Sequence, residues 1–181
     1  MWQFLKIVTF LAFYFCGSNF LAQTGFKKTY YLQNSLSSTS CDIIEIPNGE
    51  LVMIGLTNGT LNGSISSRLT AVGTDASGNQ LWRKSYGNSK FGYLYNPLIS
   101  RGGISDNSGI YYSCSVRDSL NAYYSVLVKF NFSGDTLWQR TYKDSMYDLF
   151  SQSVCKTTDG GLLLCGYLQK NNAQNHPLYL L

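Results

Sequence analysis

The sequence is poor in charge, in proline and in long apolar runs. Of its 181 residues only 13% are charged, against roughly 25% in an ordinary soluble domain, and 3 are proline. Alanine, glutamate and lysine are too scarce for a coiled coil. The formal charge of +4 is small and spread along the chain, so it does not indicate a nucleic-acid partner. The aromatic content of 15% provides enough apolar surface to exclude intrinsic disorder, and the length suits one domain with a segment left over.

Side chains suited to catalysis or metal binding are sparse. The one histidine, His176, lies among Asn, Gln and Lys, and we interpret it as a solvated loop residue. A Ser-His-Asp triad would have to use it, and the sequence contains no Gly-x-Ser-x-Gly motif. Asp75 with Asn79, and Asn131 with Asp135, have oxygens suited to Ca²⁺, but hairpin turns favour the same residue types. We therefore predict no metal site and no cofactor.

Residues 1–22 are typical of a secretory signal. Lys6 precedes an apolar run over residues 7–15, which is too short for a helix across a bilayer core of about 30 Å. Polar residues and the small Ala22 follow, as in a signal-peptide cleavage region. We predict cleavage between Ala22 and Gln23, which leaves residues 23–181 with no transmembrane segment.

Cys16 keeps a second interpretation of this segment open. In a lipoprotein signal, a cysteine becomes the acylated first residue of the processed chain, and the residue before it is normally small. Here that residue is Phe15. Soluble export is the favoured interpretation, and a lipid-anchored form and an uncleaved anchor are the alternatives.

The remainder of the chain repeats itself. Residues 25–30, 81–86 and 137–142 align without a gap, and the aromatic residue that leads each copy recurs after 56 residues both times. The leading and closing aromatics of the three copies are Phe26, Trp82, Trp138, Tyr30, Tyr86 and Tyr142.

Two families of glycine turns interleave with these copies in the same order. An Asx-x-Ser-Gly turn precedes the second and third copies, with its glycine at Gly78 and Gly134. Such a turn suits a tight hairpin, because the Asx side chain accepts a hydrogen bond from the turn backbone and glycine takes a positive φ. The second family has its glycines at Gly49, Gly109 and Gly160.

The turns divide the chain into units of four strands. The first unit covers about residues 40–86, with strands at 41–46, 51–57, 68–74 and 80–86. Two further units cover about 98–142 and 151–181, and residues 25–32 form a lone closing strand. No window has a sustained period of 3.6, so we predict an all-β chain of antiparallel four-stranded units with no helix after residue 22.

Two segments carry a resemblance to a known family. Residues 128–138, VKFNFSGDTLW, and 158–166, TDGGLLLCG, resemble the β-propeller repeats of large secreted bacterial proteins, many of them cargo of the type IX secretion system. The strand-turn-Leu-Trp half is also similar to the tryptophan motif of quinoprotein-type propellers. The resemblance covers about residues 25–181 and implies a partial propeller, with about two whole blades and parts of two others. It also implies a location outside a bacterial cell or on its outer surface.

The tryptophan-bearing strand has one face of mixed character. Strand alternation places Trp82, Lys84 and Tyr86 on one side. This face suits either the stacking of sugar rings or the packing of one blade on the next, with the lysine stem between two rings. Because the pattern occurs in every copy, we favour packing.

The cysteines also leave two interpretations open. Cys155 and Cys165 flank a glycine turn, which would suit a disulfide across a hairpin in an exported protein. Aligning the units on their turns matches Cys155 with Ile44 and Ile104, and Cys165 with Ile54 and Cys114. Positions that accept either Ile or Cys are core positions, so we favour buried free thiols.

Function is the least determined property. We expect a non-enzymatic interaction module whose loops bind a protein or polysaccharide, since loops on such scaffolds vary freely and carry function. The candidate loops are residues 58–66 and 87–98, the latter with Phe91, Tyr93 and Tyr95. The alternative is part of a propeller enzyme, either a quinoprotein-type oxidoreductase or a polysaccharide-active enzyme.

The repeat also predicts further blades. Residues 178–181 match the start of the strand at 125–128, after which a turn and a tryptophan strand are expected. We therefore expect a fragment whose missing C-terminal blades include the partner strands of residues 25–32. Its terminal faces would expose apolar side chains and favour self-association.

Overall fold

The computed structural model describes residues 27–31, 35–61, 64–87, 92–94, 102–170 and 177–181. The predicted signal, the cleavage site at Ala22 and Gln23, and Phe26 lie outside these residues. The described part is all-β: it contains twelve strands and no helix, which confirms the predicted class. Three antiparallel sheets account for all twelve strands, and none of the sheets closes on itself.

The first sheet is a four-stranded meander. Its strands are β1 (Ser35–Glu45), β2 (Leu51–Leu61), β3 (Ser64–Thr74) and β4 (Gln80–Tyr86), in that spatial order. The second sheet consists of β5 (Gly92–Leu94), β6 (Gly103–Asp106), β7 (Gly109–Arg117), β8 (Tyr123–Phe130) and β9 (Thr136–Tyr142), with β5 and β6 paired with β7. The third consists of β10 (Asp148–Lys156), β11 (Leu162–Gln169) and β12 (Leu178–Leu180).

The first hairpin of the second sheet differs from its counterparts by one residue. In the first sheet, three residues separate Ile46 from Glu50, and the Ile46 N–H donates to the Glu50 carbonyl at 2.9 Å. In the second sheet Asp106 pairs directly with Gly109. A shift of one residue turns a side chain to the opposite face of a sheet.

Apolar faces stack the sheets on one another. We call the face of the first sheet that meets the second sheet its A face, and the opposite face its B face. In the other two sheets, the faces formed by the equivalent residues of the repeat have the same names. The first core joins the A face of the first sheet to the B face of the second. Its largest fully buried members are Ile54, Leu69, Ile110, Phe130, Val52 and Val126.

The second core is smaller and joins the second sheet to the third. Tyr111 and Leu127 on the A face of the second sheet pack against Val154 and Leu164 on the B face of the third. A salt bridge from Lys156 Nζ to Asp106 Oδ2, 2.5 Å long, also links these sheets. At both contacts between sheets, the A face of one sheet therefore packs on the B face of the next.

One predicted loop is largely strand. Residues 58–66 were expected to form a loop, but β2 and β3 pair from Leu51 with Thr74 as far as Leu61 with Ser64. Polar side chains stabilise this extension, since Asn58 Nδ2 donates to Ser37 Oγ at 2.9 Å and Ser67 Oγ donates to Asn58 Oδ1. The prediction of a loop over this whole range was wrong, because Asn, Gly and Ser are also compatible with a solvated hairpin arm.

Candidate interaction surface

The tryptophan strand of the first sheet docks on a turn of the second sheet. A β-carbon built on Gly134 would lie 2.5 Å from Trp82 Cζ3, so the indole ring covers this glycine closely. The Tyr86 hydroxyl donates to the Gly134 carbonyl at 2.5 Å, and Lys84 forms a salt bridge with Asp135. Burial raises the pKa of the Tyr86 hydroxyl, which keeps it a hydrogen-bond donor.

The segment at residues 27–31 makes the same contacts one unit earlier. The Tyr30 hydroxyl donates to the Gly78 carbonyl at 2.8 Å, and Lys28 Nζ donates to Asn79 Oδ1 at 3.1 Å. The tyrosine contacts both span 48 residues and the lysine contacts both span 51. Residues 27–31 thus occupy the position of a tryptophan strand, although none of the described sheets includes them.

The glycine turns that receive these strands are organised by their first side chain. Asp75 Oδ1 accepts hydrogen bonds from the Ser77 and Asn79 N–H groups at 2.9 and 2.8 Å, and the Asn79 backbone is the main cause of its lowered pKa. Asn131 Oδ1 accepts the equivalent bonds from Ser133 and Asp135. These oxygens are occupied by the turn, as the hairpin interpretation requires.

The third copy of the strand packs within its own unit and on the second core. Trp138 lies beside Tyr111, with ring centroids 6.0 Å apart, and the Arg140 guanidinium lies 5.3 Å from the Trp138 ring centroid. Tyr142 is partly buried against the same core. In all three copies, then, the aromatic residues that the structure describes take part in packing.

A second feature is the end of the second sheet at which β7 ends and β8 begins, which we call the loop end. Register places β5 beside the last residues of β7, with Gly92 opposite Arg117. The chain leaves β9 here too, because Tyr142 pairs with Ser125 near the start of β8. The Tyr123 N–H donates to Asp148 Oδ1 at 2.8 Å, which brings the start of β10 to the same place.

Two turns at the loop end hold apolar side chains in solvent. Asp118 Oδ1 accepts hydrogen bonds from the Leu120 and Ala122 N–H groups at 2.9 and 3.1 Å, and Leu120 is 85% exposed. Asp144 Oδ1 accepts from Met146 N–H at 2.7 Å, and Met146 is 66% exposed. Both turns have the sequence Asp-Ser followed by a large apolar residue, and in both the carboxylate is occupied by the turn backbone.

Basic side chains also lie at the loop end. Arg117 is exposed at the end of β7, and Lys143 Nζ lies 4.3 Å from the ring centroid of Tyr124. The loop end therefore presents Leu120 and Met146 on turns fixed by carboxylate hydrogen bonds, together with the basic side chains of Arg117 and Lys143. Protein partners are recognised by apolar anchors with a polar rim, which is the chemistry available here.

Only part of one predicted loop lies at the loop end. In the range 87–98 the structure describes Gly87 and, as strand β5, residues 92–94, so Phe91 and Tyr95 lie outside the described residues. The turns at 118–122 and 143–147 were missed by sequence reasoning. Their repeated Asp-Ser-Leu and Asp-Ser-Met pattern was the available signal, because an Asx turn fixes the direction of the residue that follows it.

The four cysteines in the described part of the chain are free, but they differ in burial. Cys114 is buried in the first core and Cys41 is buried as well. Cys155 is exposed and Cys165 is partly buried, both on the A face of the third sheet. Burial raises the pKa of Cys41 to about 11 and the pKa of Cys114 to about 12. The nearby Cys41 also raises the pKa of Cys114.

Two of the cysteine interpretations need correction. The alignment of Cys114 with Ile54 was wrong by one residue because of the shorter turn before Gly109, and these two side chains lie on opposite faces of their sheets. The interpretation of Cys155 as a buried core residue was also wrong, because it lies on an outward face. Cys165 lies opposite Ser153 and Cys155 opposite Leu163, so the two thiols form a diagonal pair, wider than disulfide geometry allows.

Among the described residues, no group of three or more His, Cys, Asp and Glu is placed to hold a metal ion, and His176 lies outside them. That same part of the chain contains no helix long and apolar enough to cross a membrane.

Comparisons with known proteins give no family. No protein-family model matches the chain, and no curated protein matches it in sequence.

Proposed function

We propose that the chain is an exported, non-enzymatic interaction module of the β-propeller type, which binds a protein partner through the loop end. The observation that carries the proposal is the pair of solvent-exposed tips, Leu120 and Met146, on turns fixed by Asp118 and Asp144. Large apolar side chains cost free energy when held in water, and a rigid turn loses little entropy when they are buried by a partner.

Two features support the propeller arrangement. The sheets are antiparallel meanders stacked face to face, and the same strand-on-turn contact recurs at a fixed sequence interval. A radial array of such sheets is a propeller, with its loops gathered at the two ends of the ring. The signal-like sequence of residues 1–22 supports export, which would give the module access to partners outside the cell or on its outer surface.

Binding can be tested with a phage-displayed random peptide library and a glycan array. The wild-type processed chain is compared with a Leu120→Ser, Met146→Ser variant. The matched control is Leu81→Ser with Leu137→Ser, since each of these leucines is 52% exposed at the start of a tryptophan strand, away from the loop end. We expect peptides to be enriched on the wild type and on the control, and to be lost on the loop-end variant.

Each alternative function has its own result. Peptides that bind all three proteins equally would place the binding surface elsewhere. Binding to the glycan array alone would replace the protein partner by a polysaccharide. Reproducible turnover of quinone-linked alcohols or of a polysaccharide panel would overturn the non-enzymatic proposal in favour of an enzyme.

A further inference from the structure

The contact between the second and third sheets is partly polar. Tyr111 and Leu127 lie on the A face of the second sheet and pack on the third sheet. Side chains two or four residues apart along a strand share a face, which places Ser113, Ser115 and Ser125 there too. Each of these serines is at most 4% exposed. Three hydroxyls are therefore enclosed between the two sheets.

The first core has large apolar residues at the equivalent positions. With Tyr86 and Tyr142 as equivalent residues, the strand register matches the three serines with Ile54, Leu56 and Leu69 of the first sheet, respectively. All three apolar residues pack in the first core. The change to serine leaves both space and hydrogen-bonding groups at the same place in the second contact.

The third sheet contributes further polar groups here. The Ser151 N–H donates to Ser115 Oγ at 2.9 Å. The hydroxyls of Ser125 and Tyr179 are hydrogen-bonded to each other. Gly166 makes room for the phenol, since a β-carbon built on it would lie 2.8 Å from the Tyr179 hydroxyl. We call the five hydroxyl-bearing residues at this contact the hydroxyl cluster: Ser113, Ser115, Ser125, Ser151 and Tyr179.

Two oxygens of the hydroxyl cluster are unsatisfied. Among the residues that the structure describes, three buried side-chain oxygens have no hydrogen-bond partner, and two of them are Ser113 Oγ and Ser151 Oγ. Ser151 has the Tyr179 hydroxyl in its neighbourhood, so Ser113 is the stronger case. Burial of a polar group without a hydrogen bond is unfavourable, and buried polar groups are nearly always satisfied by the protein or by ordered water.

We propose that the hydroxyl cluster binds an internal water molecule, with Ser113 Oγ as one of its ligands. An internal water typically forms about three hydrogen bonds with buried polar groups. Ser113 and Ser115 are separated by about 6.6 Å along one face of β7, so a water between their hydroxyls can reach both. The cluster is neutral and its hydroxyls both donate and accept, which suits water rather than an ion. The inference depends neither on the propeller arrangement nor on the binding role of the loop end.

Magnetic relaxation dispersion of oxygen-17 water tests the site, because it counts the water molecules held inside a protein. Valine and threonine have the same shape and differ in the hydroxyl. We therefore expect Ser113→Thr to keep the number of internal waters of the wild type and Ser113→Val to have one fewer. Thr74→Val is the control, since Thr74 Oγ1 already donates to the Asp75 carbonyl at 3.0 Å, and it should leave the number unchanged.

Three results of this measurement would overturn the proposal. An unchanged number in Ser113→Val would show that no water depends on this side chain. An equal loss in Ser113→Thr and Ser113→Val would show that the hydroxyl is not a ligand. A loss in Thr74→Val as large as that in Ser113→Val would show that the effect is not specific to the hydroxyl cluster.

A crystal structure of the wild-type chain tests the site without relying on the folding of a variant. We expect electron density for a water about 2.7–3.0 Å from Ser113 Oγ. A dry contact beside this oxygen, or a Ser113 hydroxyl that is hydrogen-bonded to a protein group instead, would refute the internal water.

Discussion

The indole ring of Trp82 lies on Gly134 of the next sheet, with no room for a methyl group between them. A β-carbon at Gly134 would come within 2.5 to 3.0 Å of three atoms of the ring, and Gly134 has a φ of +79°. Gly160 occupies a turn with a φ of +85°, and a β-carbon there would meet nothing within 4 Å. Both glycines therefore have a left-handed φ, but only Gly134 lies against an aromatic ring.

Gly134→Ala should therefore destabilise the protein more than Gly160→Ala. A left-handed φ is unfavourable for a non-glycine residue by about 1–2 kcal/mol, so the free energy of unfolding of both variants should fall by that amount. Gly134→Ala also overpacks the contact with Trp82, for about 1–3 kcal/mol more. Urea unfolding of the two variants and the wild type gives the comparison. Equal losses would show that Trp82 does not dock on this turn in solution.

The salt bridge between Asp106 and Lys156 predicts a dependence on acid. Partial burial raises the pKa of the Asp106 carboxyl, but hydrogen bonds from Lys156 and Ser108 outweigh it and lower the pKa to about 2. An unfolded aspartate has a pKa of about 3.9. A carboxyl with a lowered folded pKa contributes stability above the unfolded value, and this contribution is lost as the pH falls from about 4 to about 2.

The variant Lys156→Met, which removes the salt bridge, should lose this pH-dependent contribution to stability. At pH 6 its urea midpoint should lie below that of the wild type. The difference should shrink as the pH falls below about 4 and should be mostly lost by about pH 2, where Asp106 of the folded wild type is about half protonated. The effect is small, because Lys156 is solvent-exposed. Lys170→Met removes the same charge from an exposed position and should give no pH-dependent difference. A gap between wild type and Lys156→Met that is constant from pH 6 to pH 2 would contradict the role of Asp106.

The strand pairs and turns were predictable because their signals are local. The Asp75 and Asn131 turns are fixed by side chains within four residues, and β4 and β9 match the predicted tryptophan strands within one residue of each predicted boundary. The face on which Cys114 lies was not predictable from the turn alignment. It depends on whether two or three residues turn the chain before Gly109, and Asn, Ser and Gly are compatible with either.

The contacts between units were harder to derive from sequence. The repeat spacing of 56 relates equivalent residues, but the docking contact of Tyr86 with Gly134 has an interval of 48, since it joins a strand to the next unit's turn. The loop-end tips also escaped detection, because Leu120 and Met146 are isolated apolar residues in polar turns. Single exposed apolar residues are common on protein surfaces and attract attention only when their turn geometry is known.

The proposed export predicts where the processed chain begins. Protein collected outside the cytoplasm of a bacterial host should begin at Gln23, as measured by intact mass and N-terminal peptide mapping. Leu11→Arg interrupts the apolar run at residues 7–15 and should retain an uncleaved chain inside the cell. Ser18→Thr leaves the run intact and should be exported normally. Exported protein that keeps residues 1–22 would refute cleavage, and a lipid attached to Cys16 would establish the lipoprotein alternative.

Thiol chemistry tests the two buried cysteines. The variant with Cys155→Ser and Cys165→Ser, once processed, retains Cys41 and Cys114. Burial raises the pKa of these thiols to about 11 and about 12, and the thiolate is the reactive form, so neither should react with Ellman's reagent at pH 8 in the native state. Both should react once denaturant is added. The wild-type chain without residues 1–22, denatured without reductant, should give four thiols, whereas two would indicate a Cys155–Cys165 disulfide. Fast reaction of the native double variant would show that the first core opens or is packed differently from the structure.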